Sequence, residues 1–338
     1  MQTALYAGNG KIEIAPHERK EPGRDEVRVR VAWCGICGTD VHIFHGLMDG
    51  RVNMPQPIGH EMSGVIEAVG EGVREYKEGD HVTVRPLEYP DDGSNWKREG
   101  AHIRPGSKFI GIDTPGALQY SWILPAYTLH KLPEDLPLDV AALTEPLAVA
   151  CHDVKMGQVK AGENVVILGG GPIGVLIALV ARAEGANVLV SEINPARLEL
   201  LEEMGFETID PGKEDLEATV MQRTGRIGAD VVFEVTASPR GVEAMTKLPS
   251  VRGRIVIVGI IKDPPPVDLF QFFWKELRMF GARVYEAEDF DRAIELAAEG
   301  SLPLENLISK KVELEELQSA FETISSGADV MKVLVKCS

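Results

Sequence analysis

Positive charge is what this chain of 338 residues is shortest of: 35 Lys and Arg stand against 52 Asp and Glu, a formal net charge of −17. A surface of that sign repels phosphate backbones and anionic headgroups, so neither nucleic acid nor a membrane surface is expected as a partner. Cysteine is scarce as well, with four, at positions 34, 37, 151 and 337. They are too few and too scattered for the disulfide framework of a secreted scaffold, and a reducing cytoplasm is the expected location. Long apolar runs are missing too. The longest uncharged stretch, 164–181, carries four glycines and Pro172, and reads as strand, turn and helix rather than a membrane span. Residues 1–14 hold neither the apolar core nor the small-residue cleavage site of a secretory signal.

What is present describes a globular protein, with 44% apolar and 26% charged residues. The length exceeds what one hydrophobic core usually serves, so two domains are expected. The first 80 or so residues read as β-rich. Residues 26–31 alternate charged and apolar side chains, 65–69 and 81–84 look similar, and Gly70, Gly72, Gly79 and Asp80 supply turns. A barrel-like sheet of short strands is the simplest account. Residues 86–116 look loop-like. Residues 140–154 read as one buried helix with Glu145-Pro146 in its middle. That placement is odd as packing, because proline removes an interior hydrogen bond and a buried carboxylate needs a partner.

The sharpest signal follows. Residues 164–168 form an apolar strand, Gly169-Gly170-Gly171-Pro172-Ile173-Gly174 a turn, 175–184 an apolar helix ended by Gly185, and 187–190 a second strand leading to Glu192. This is a dinucleotide fingerprint in its required context. Gly169 permits the tight turn, Gly171 lets backbone approach a pyrophosphate, and Gly174 lets helix pack on strand. The amides at the helix start, after Pro172 and Ile173, face the phosphates. Glu192, 18 residues beyond Gly174, can accept both ribose hydroxyls and repel a 2′-phosphate, which favours NAD over NADP; Arg197 blurs that preference. The βα pattern continues through strands at 229–235 and 253–259, helices at 292–298 and 314–324, and a closing apolar strand at 330–335. There is no internal repeat and no low-complexity tract.

A second constellation lies earlier. Cys37, His60 and Glu61 offer a thiolate, an imidazole and a carboxylate, a set that suits zinc. Thr39 and His42, within five residues of the thiol, can pass a proton. Taken singly these residues are more often a buried thiol, a core histidine and a surface acid; together, ahead of a nicotinamide-type domain, they read as a catalytic metal site.

The chain resembles the zinc-dependent medium-chain dehydrogenase/reductase family, in its polyol and threonine dehydrogenase branch. Gly35-Ile36-Cys37-Gly38-Thr39-Asp40-Val41-His42, Gly59-His60-Glu61, Gly79-Asp80-His81-Val82, Thr144-Glu145-Pro146-Leu147-Ala148-Val149 and the 169–174 turn carry the match, which runs to the closing Met331-Lys332-Val333-Leu334-Val335-Lys336. The resemblance implies an α/β protein of two domains: a GroES-like β-barrel catalytic domain at 1–148 and 285–338, and a Rossmann NAD-binding domain at 149–284. It implies Cys37, His60 and Glu61 as zinc ligands, with Glu145 a fourth ligand or the holder of a metal-bound water. Thr39 matches the hydroxyl that touches the substrate oxygen, and His42 the next group in the relay. Glu192 and Arg197 match adenosine-contacting positions; Val149, Val235, Thr236 and Ile260 fall where the family lines the adenine and nicotinamide pockets. Arg283 and Tyr285 fall near substrate or nicotinamide, where a positive charge suits a carboxylate.

One departure concerns a second, structural zinc, which many relatives hold with four cysteines. Pro90, Gly93, Trp96 and Arg104 stand at those positions, so one zinc per chain is expected. The implied activity is NAD-linked hydride transfer between a polar secondary alcohol (a polyol, sugar alcohol or sugar acid) and its ketone, with threonine or butanediol as alternative substrates. Rivals of other classes are a zinc-free enone reductase or crystallin-like protein, and a nucleotide-sensing module. Relatives of this kind are usually homodimers or homotetramers. The strand at 255–258 is expected at the sheet edge, and the apolar segment 269–274 is expected either at a subunit interface or as a buried core helix.

Overall fold

A computed structural model describes residues 1–90, 99–263 and 265–338. The chain forms two compact units, Met1–Ala148 with Glu286–Ser338, and Val149–Tyr285. Among the described residues no helix is long and apolar enough to cross a membrane.

The first unit opens with an antiparallel pair, β1 (Gln2–Tyr6) and β2 (Ile12–Pro16). Strand β3 (Glu26–Gly35), helix α1 (Gly38–Phe44), and strands β4 (Glu61–Val69) and β5 (His81–Val84) follow. Two short strands, β6 (Leu87–Glu88) and β7 (Lys108–Phe109), pair with each other, and β8 (Ser121–Pro125) and β9 (Leu129–Lys131) complete the segment. The alternation in β3 does what its period dictates: Val27, Val29 and Val31 are all fully buried in the core. Arg28, on the other face, is buried as well, since Glu21, Glu67 and the Lys20 carbonyl cover it.

The expected single helix at 140–154 is two helices, α2 (Leu138–Ala141) and α3 (Thr144–Met156). The break removes the oddity noted above. Pro146 is the third residue of α3, in the first turn, where an amide has no intrahelical acceptor to lose.

The second unit is one parallel sheet. Its elements run β10 (Asn164–Leu168), α4 (Pro172–Ala183), β11 (Asn187–Ser191), α5 (Pro195–Glu203), β12 (Glu207–Ile209) and α6 (Leu216–Arg223). After them come β13 (Ala229–Glu234), α7 (Pro239–Met245), β14 (Pro249–Ile257), α8 (Leu269–Lys275) and β15 (Arg278–Gly281). The strand order is β12-β11-β10-β13-β14-β15, with β10 and β13 side by side where the winding reverses. Strands covered on both faces read as continuous apolar runs, and residues 165–168 of β10 are each at most 2% exposed. Burying each of those side chains is worth roughly 1.5–3 kcal/mol over leaving it in water.

The chain then returns to the first unit through α9 (Ala287–Ala298), β16 (Ile308–Glu313), α10 (Leu317–Ser325) and β17 (Lys332–Lys336). Phe290, Ala293, Leu296 and Ala297 form the buried stripe of α9 at helical spacing. Strand β17 pairs antiparallel with β3, so a sheet of order β16-β17-β3-β4-β5-β9, with β8 also on β3, joins the first and last segments of the chain.

Two expectations fail here. Residues 255–257 lie inside the sheet, because β15 pairs outside β14 and forms the edge. Nor is 269–274 a core helix: Leu269, Phe270, Phe273 and Trp274 of α8 are all 61% or more exposed. Of the positions matched to the missing cysteines, Gly93 and Trp96 lie outside the described residues.

Candidate active site

Helix α1 sets three of the residues in question. Cys37 is its N-cap, with extended backbone, and the Asp40 carboxylate accepts the Cys37 amide at 2.9 Å. Thr39 and His42 are three residues apart on one face, both half-buried and so within reach of solvent. His60 and Glu61 arrive at the start of β4, whose pairing sets Glu61 opposite Gly35, next to α1. One donor atom each from Cys37, His60 and Glu61 lies within 4.8 Å of the others.

Behind the cluster sits a group that sequence reasoning missed. Asp40 is fully buried, and its Oδ1 lies 3.7 Å from His60 Nδ1; among the described residues neither atom has a hydrogen-bond partner. Burial pushes the Asp40 carboxyl pKa up, against the pull of His60. Burial should likewise disfavour a charged His60. The charge of Asp40, the hydrogen bond and charge of Cys37, and the charge of Glu145 outweigh it and raise the imidazole well above its ordinary value. A buried cluster whose neighbours favour positive charge in this way suits a cation. Sulfur, imidazole and carboxylate donors at this spacing fit zinc, with Asp40 placed to orient the imidazole. The Phe109 ring stands edge-on to His60 at 5.1 Å.

Glu61 is not free. Lys332 of β17 reaches both its oxygens, at 2.7 and 2.6 Å, and both side chains are buried. Burial works against the Lys332 ammonium, but Glu61 and the further charges of Cys37 and Glu145 raise its pKa. A lysine inside the otherwise apolar closing strand is the signal that would have found this pair. Glu145, in the first turn of α3, is buried, and its charge bears on both His60 and Lys332. It is not among the three donors that converge within 4.8 Å.

In the second unit Gly169 takes a left-handed φ of 107° as the chain leaves β10. A Cβ on Gly174 would collide with the Gly169 carbonyl oxygen, which is why helix and turn can close on each other. Gly171 is the N-cap of α4, with Pro172 and Ile173 opening the helix and its exposed amides. Glu192, directly after β11, is buried. Its Oε2 accepts the Gly170 amide at 2.8 Å and its Oε1 the amides of Ile193 and Asn194 at 2.6 and 2.9 Å. Arg197 lies 3.7 Å away. Val235 and Thr236 follow β13 and exposed Ile260 follows β14, at the carboxyl end of the sheet, where such folds bind ligands. Ile193, beside Glu192, is exposed. Val149 is half-buried on α3, Arg283 is exposed and Tyr285 is buried.

A doubly wound dinucleotide sheet together with a sulfur, nitrogen and oxygen donor cluster defines a metal-assisted dehydrogenase. Comparison with known proteins says which kind. Residues 23–134 match the alcohol dehydrogenase GroES-like domain, and residues 172–299 match the zinc-binding dehydrogenase domain. The chain is 50% identical to 2-dehydro-3-deoxy-L-galactonate 5-dehydrogenase of Pseudoalteromonas atlantica, over 100% of this chain and 99% of that one. It is 34% identical to (R,R)-butanediol dehydrogenase of Neisseria gonorrhoeae, over 99% of each. The crystal structure of 2R,3R-butanediol dehydrogenase from Bacillus subtilis superimposes with a TM-score of 0.93 at 30% identity, over 100% of this chain and 99% of that one. The chain belongs to the zinc-dependent medium-chain dehydrogenase/reductase family, in its polyol and threonine dehydrogenase branch. It is an oxidoreductase that interconverts an alcohol and its carbonyl compound by hydride transfer with a nicotinamide dinucleotide.

Proposed function

We propose that the chain oxidises the C5 hydroxyl of a 2-dehydro-3-deoxy sugar acid such as 2-dehydro-3-deoxy-L-galactonate, with NAD as acceptor. The observation that carries this is the 50% identity over the full length to an enzyme of that name, against 34% for the butanediol relative. The reaction balances as CH–OH plus NAD⁺ giving C=O, NADH and a proton.

Cys37, His60 and Glu61 would hold one zinc ion, with Glu145 completing the set directly or through water. The ion supplies Lewis acidity that lowers the pKa of the substrate hydroxyl. Thr39 accepts the hydroxyl proton as it releases its own toward His42, one turn along the same helix face, and His42 hands that proton on to solvent. Asp40 fixes the imidazole plane of His60, and Lys332 holds both oxygens of Glu61 in place. The 169–174 turn and the start of α4 receive the pyrophosphate. Glu192 accepts the ribose hydroxyls of the adenosine and disfavours a 2′-phosphate, a preference that Arg197 tempers. Val149, Val235, Thr236 and Ile260 line the base pockets.

The same reading makes the protein a cytoplasmic homodimer or homotetramer. Support for the assembly comes from the exposed apolar face of α8 together with β15, the edge strand of its sheet among the described residues.

The test is a reduction assay across 2-dehydro-3-deoxy sugar acids, sorbitol, 2,3-butanediol and threonine, with NAD⁺ and NADP⁺, alongside zinc analysis of wild type, Cys37→Ala and His60→Ala. The sugar acid should lead by roughly 100-fold or more in kcat/KM, because buried polar groups built for one substrate reject another strongly. Both variants should lose zinc and turnover. Butanediol or threonine as the best substrate would overturn the substrate assignment, and a fully active variant without zinc would overturn the metal site.

A further inference from the structure

The carboxyl end of β13 carries a charged group that the proposed chemistry does not use. Glu234 is 0% exposed, at the last position of a strand whose other inner residues are apolar. Its carboxylate is turned into the loop that follows. Oε1 accepts the Thr236 amide at 3.0 Å and also the Thr236 hydroxyl, and Oε2 accepts the Ala237 amide at 3.1 Å. The Thr236 hydroxyl oxygen in turn accepts the Ser238 amide at 3.0 Å, and Ser238 caps α7.

Within this bonded loop the backbone is strained. Ala237 has a φ of 52°, in the left-handed region that disfavours every residue with a Cβ. Such conformations persist only where the surroundings over-determine them, and they concentrate where a surface must be shaped. The surroundings here are explicit. A Cβ on Gly259, two residues past β14, would stand 2.6 Å from the Ala237 amide nitrogen and 2.9 Å from Glu234 Oε2. On the other side, a Cβ on Gly169 would stand 3.0 Å from Thr236 Cγ2. The loop is therefore wedged between the glycine turn and the end of β14, with Glu234 beneath it.

We infer that Glu234 is a positioning residue that holds residues 235–237 in the shape that takes the nicotinamide half of the dinucleotide. The inference rests on the reading of Val235, Thr236 and Ile260 as lining the cofactor. It follows from topology that this loop serves one half only. Glu192 stands beyond β11 on one side of the glycine turn, whereas 235–237 and 260 lie over β13 and β14 on the other. Glu234 acts by accepting donors at both oxygens at once, and a neutral amide of the same shape cannot do so. In Glu234→Gln the NH2 group must face either the Thr236 donors or the Ala237 amide.

The experiment compares binding of NADH, by fluorescence titration, with binding of ADP, by calorimetry, in wild type, Glu234→Gln and Ala237→Gly. ADP reports the glycine turn and the Glu192 side, and NADH reports both halves. In Glu234→Gln the NADH Kd should rise roughly tenfold, the scale of one misplaced buried donor, while the ADP Kd changes less than about twofold. Ala237→Gly removes the strain and frees the loop, so its melting temperature should hold or rise while NADH alone weakens about threefold. That variant decides the matter should Glu234→Gln fail to fold. An unchanged NADH Kd in the variants, or NADH and ADP weakened in equal proportion, would leave Glu234 as scaffolding and overturn the inference. Equal affinity of wild type for NADH and ADP would instead sink the reading of 235, 236 and 260 on which it stands.

Discussion

Replacing Lys332 by methionine tests the logic of the metal centre without touching a proposed ligand. Lys332 is buried, and its ammonium meets both oxygens of an equally buried Glu61. Methionine nearly matches its bulk, so the change removes a charge and leaves packing close to intact. Removing one partner of a buried pair strands the other, which typically lowers stability by about 3–5 kcal/mol. In metal-free Lys332→Met the uncompensated carboxylate is Glu61, so unfolding in urea after chelation should show a loss of about that size. Zinc should then restore much of it, because a divalent cation at the Cys37, His60 and Glu61 cluster supplies the missing positive charge. Ligand stabilisation grows as RT ln(1 + [L]/Kd), about 1.4 kcal/mol for each tenfold gain in affinity. The zinc-induced rise in stability should therefore be larger in the variant than in wild type, and Lys332→Arg should sit between them. If metal-free Lys332→Met were as stable as wild type, or zinc stabilised both equally, the ammonium would not be standing in for a cation and the reasoning would fail.

Two further expectations concern parts of the molecule away from that pair. Asp113 receives Arg51 through two hydrogen bonds of 2.9 and 2.7 Å and the Phe109 amide at 2.8 Å, an arrangement that ties down the end of β7 at Phe109. Burial opposes ionisation of Asp113, but Arg51 and the Phe109 amide hold its pKa below the usual carboxylate value. A lowered folded-state pKa gives stability that is present above the unfolded value and lost as pH falls through the folded one. Asp113→Asn should thus be about 1–2 kcal/mol less stable at pH 7, with the gap to wild type closing as pH drops from 5 toward 3; a gap constant with pH in urea melts would refute this. On α8, a Phe273→Asp, Trp274→Glu double variant should shift the mass measured by light scattering to a smaller species with unchanged circular dichroism. An unchanged mass would clear this face of any role in assembly.

Much of the second unit was legible because its signals are local. The glycine turn, the apolar strands around it and Glu192 all fall within one stretch of chain, and hydrophobic runs of this length have few other homes. The Cys37, His60 and Glu61 set was legible as residue types, but what surrounds it was not. Lys332 meets Glu61 across a separation of 271 residues, and no periodicity links β17 to β4. Asp40 stood inside the Gly35–His42 segment with no role of its own; only its burial against His60 gives it one. The break between α2 and α3 was hidden because Ala142 and Leu143 are as apolar as the helices they separate. The edge of the sheet was misplaced because β15 is four residues long, largely exposed and without the apolar run that marks its neighbours.

The bonding of Glu192 has a consequence for how cofactor choice can change. The same carboxylate that is proposed to receive the ribose ties down the amides of Gly170, Ile193 and Asn194. Cutting it back to make room for a 2′-phosphate would therefore release the glycine turn and the strand-end loop in one step, and the phosphate-bearing cofactor would meet a looser cradle. Selection for the other dinucleotide would have to install a new anchor for those amides first, and only afterwards exchange the acid. Under the proposed preference for NAD, cofactor identity would be held in place by the turn that Glu192 ties down.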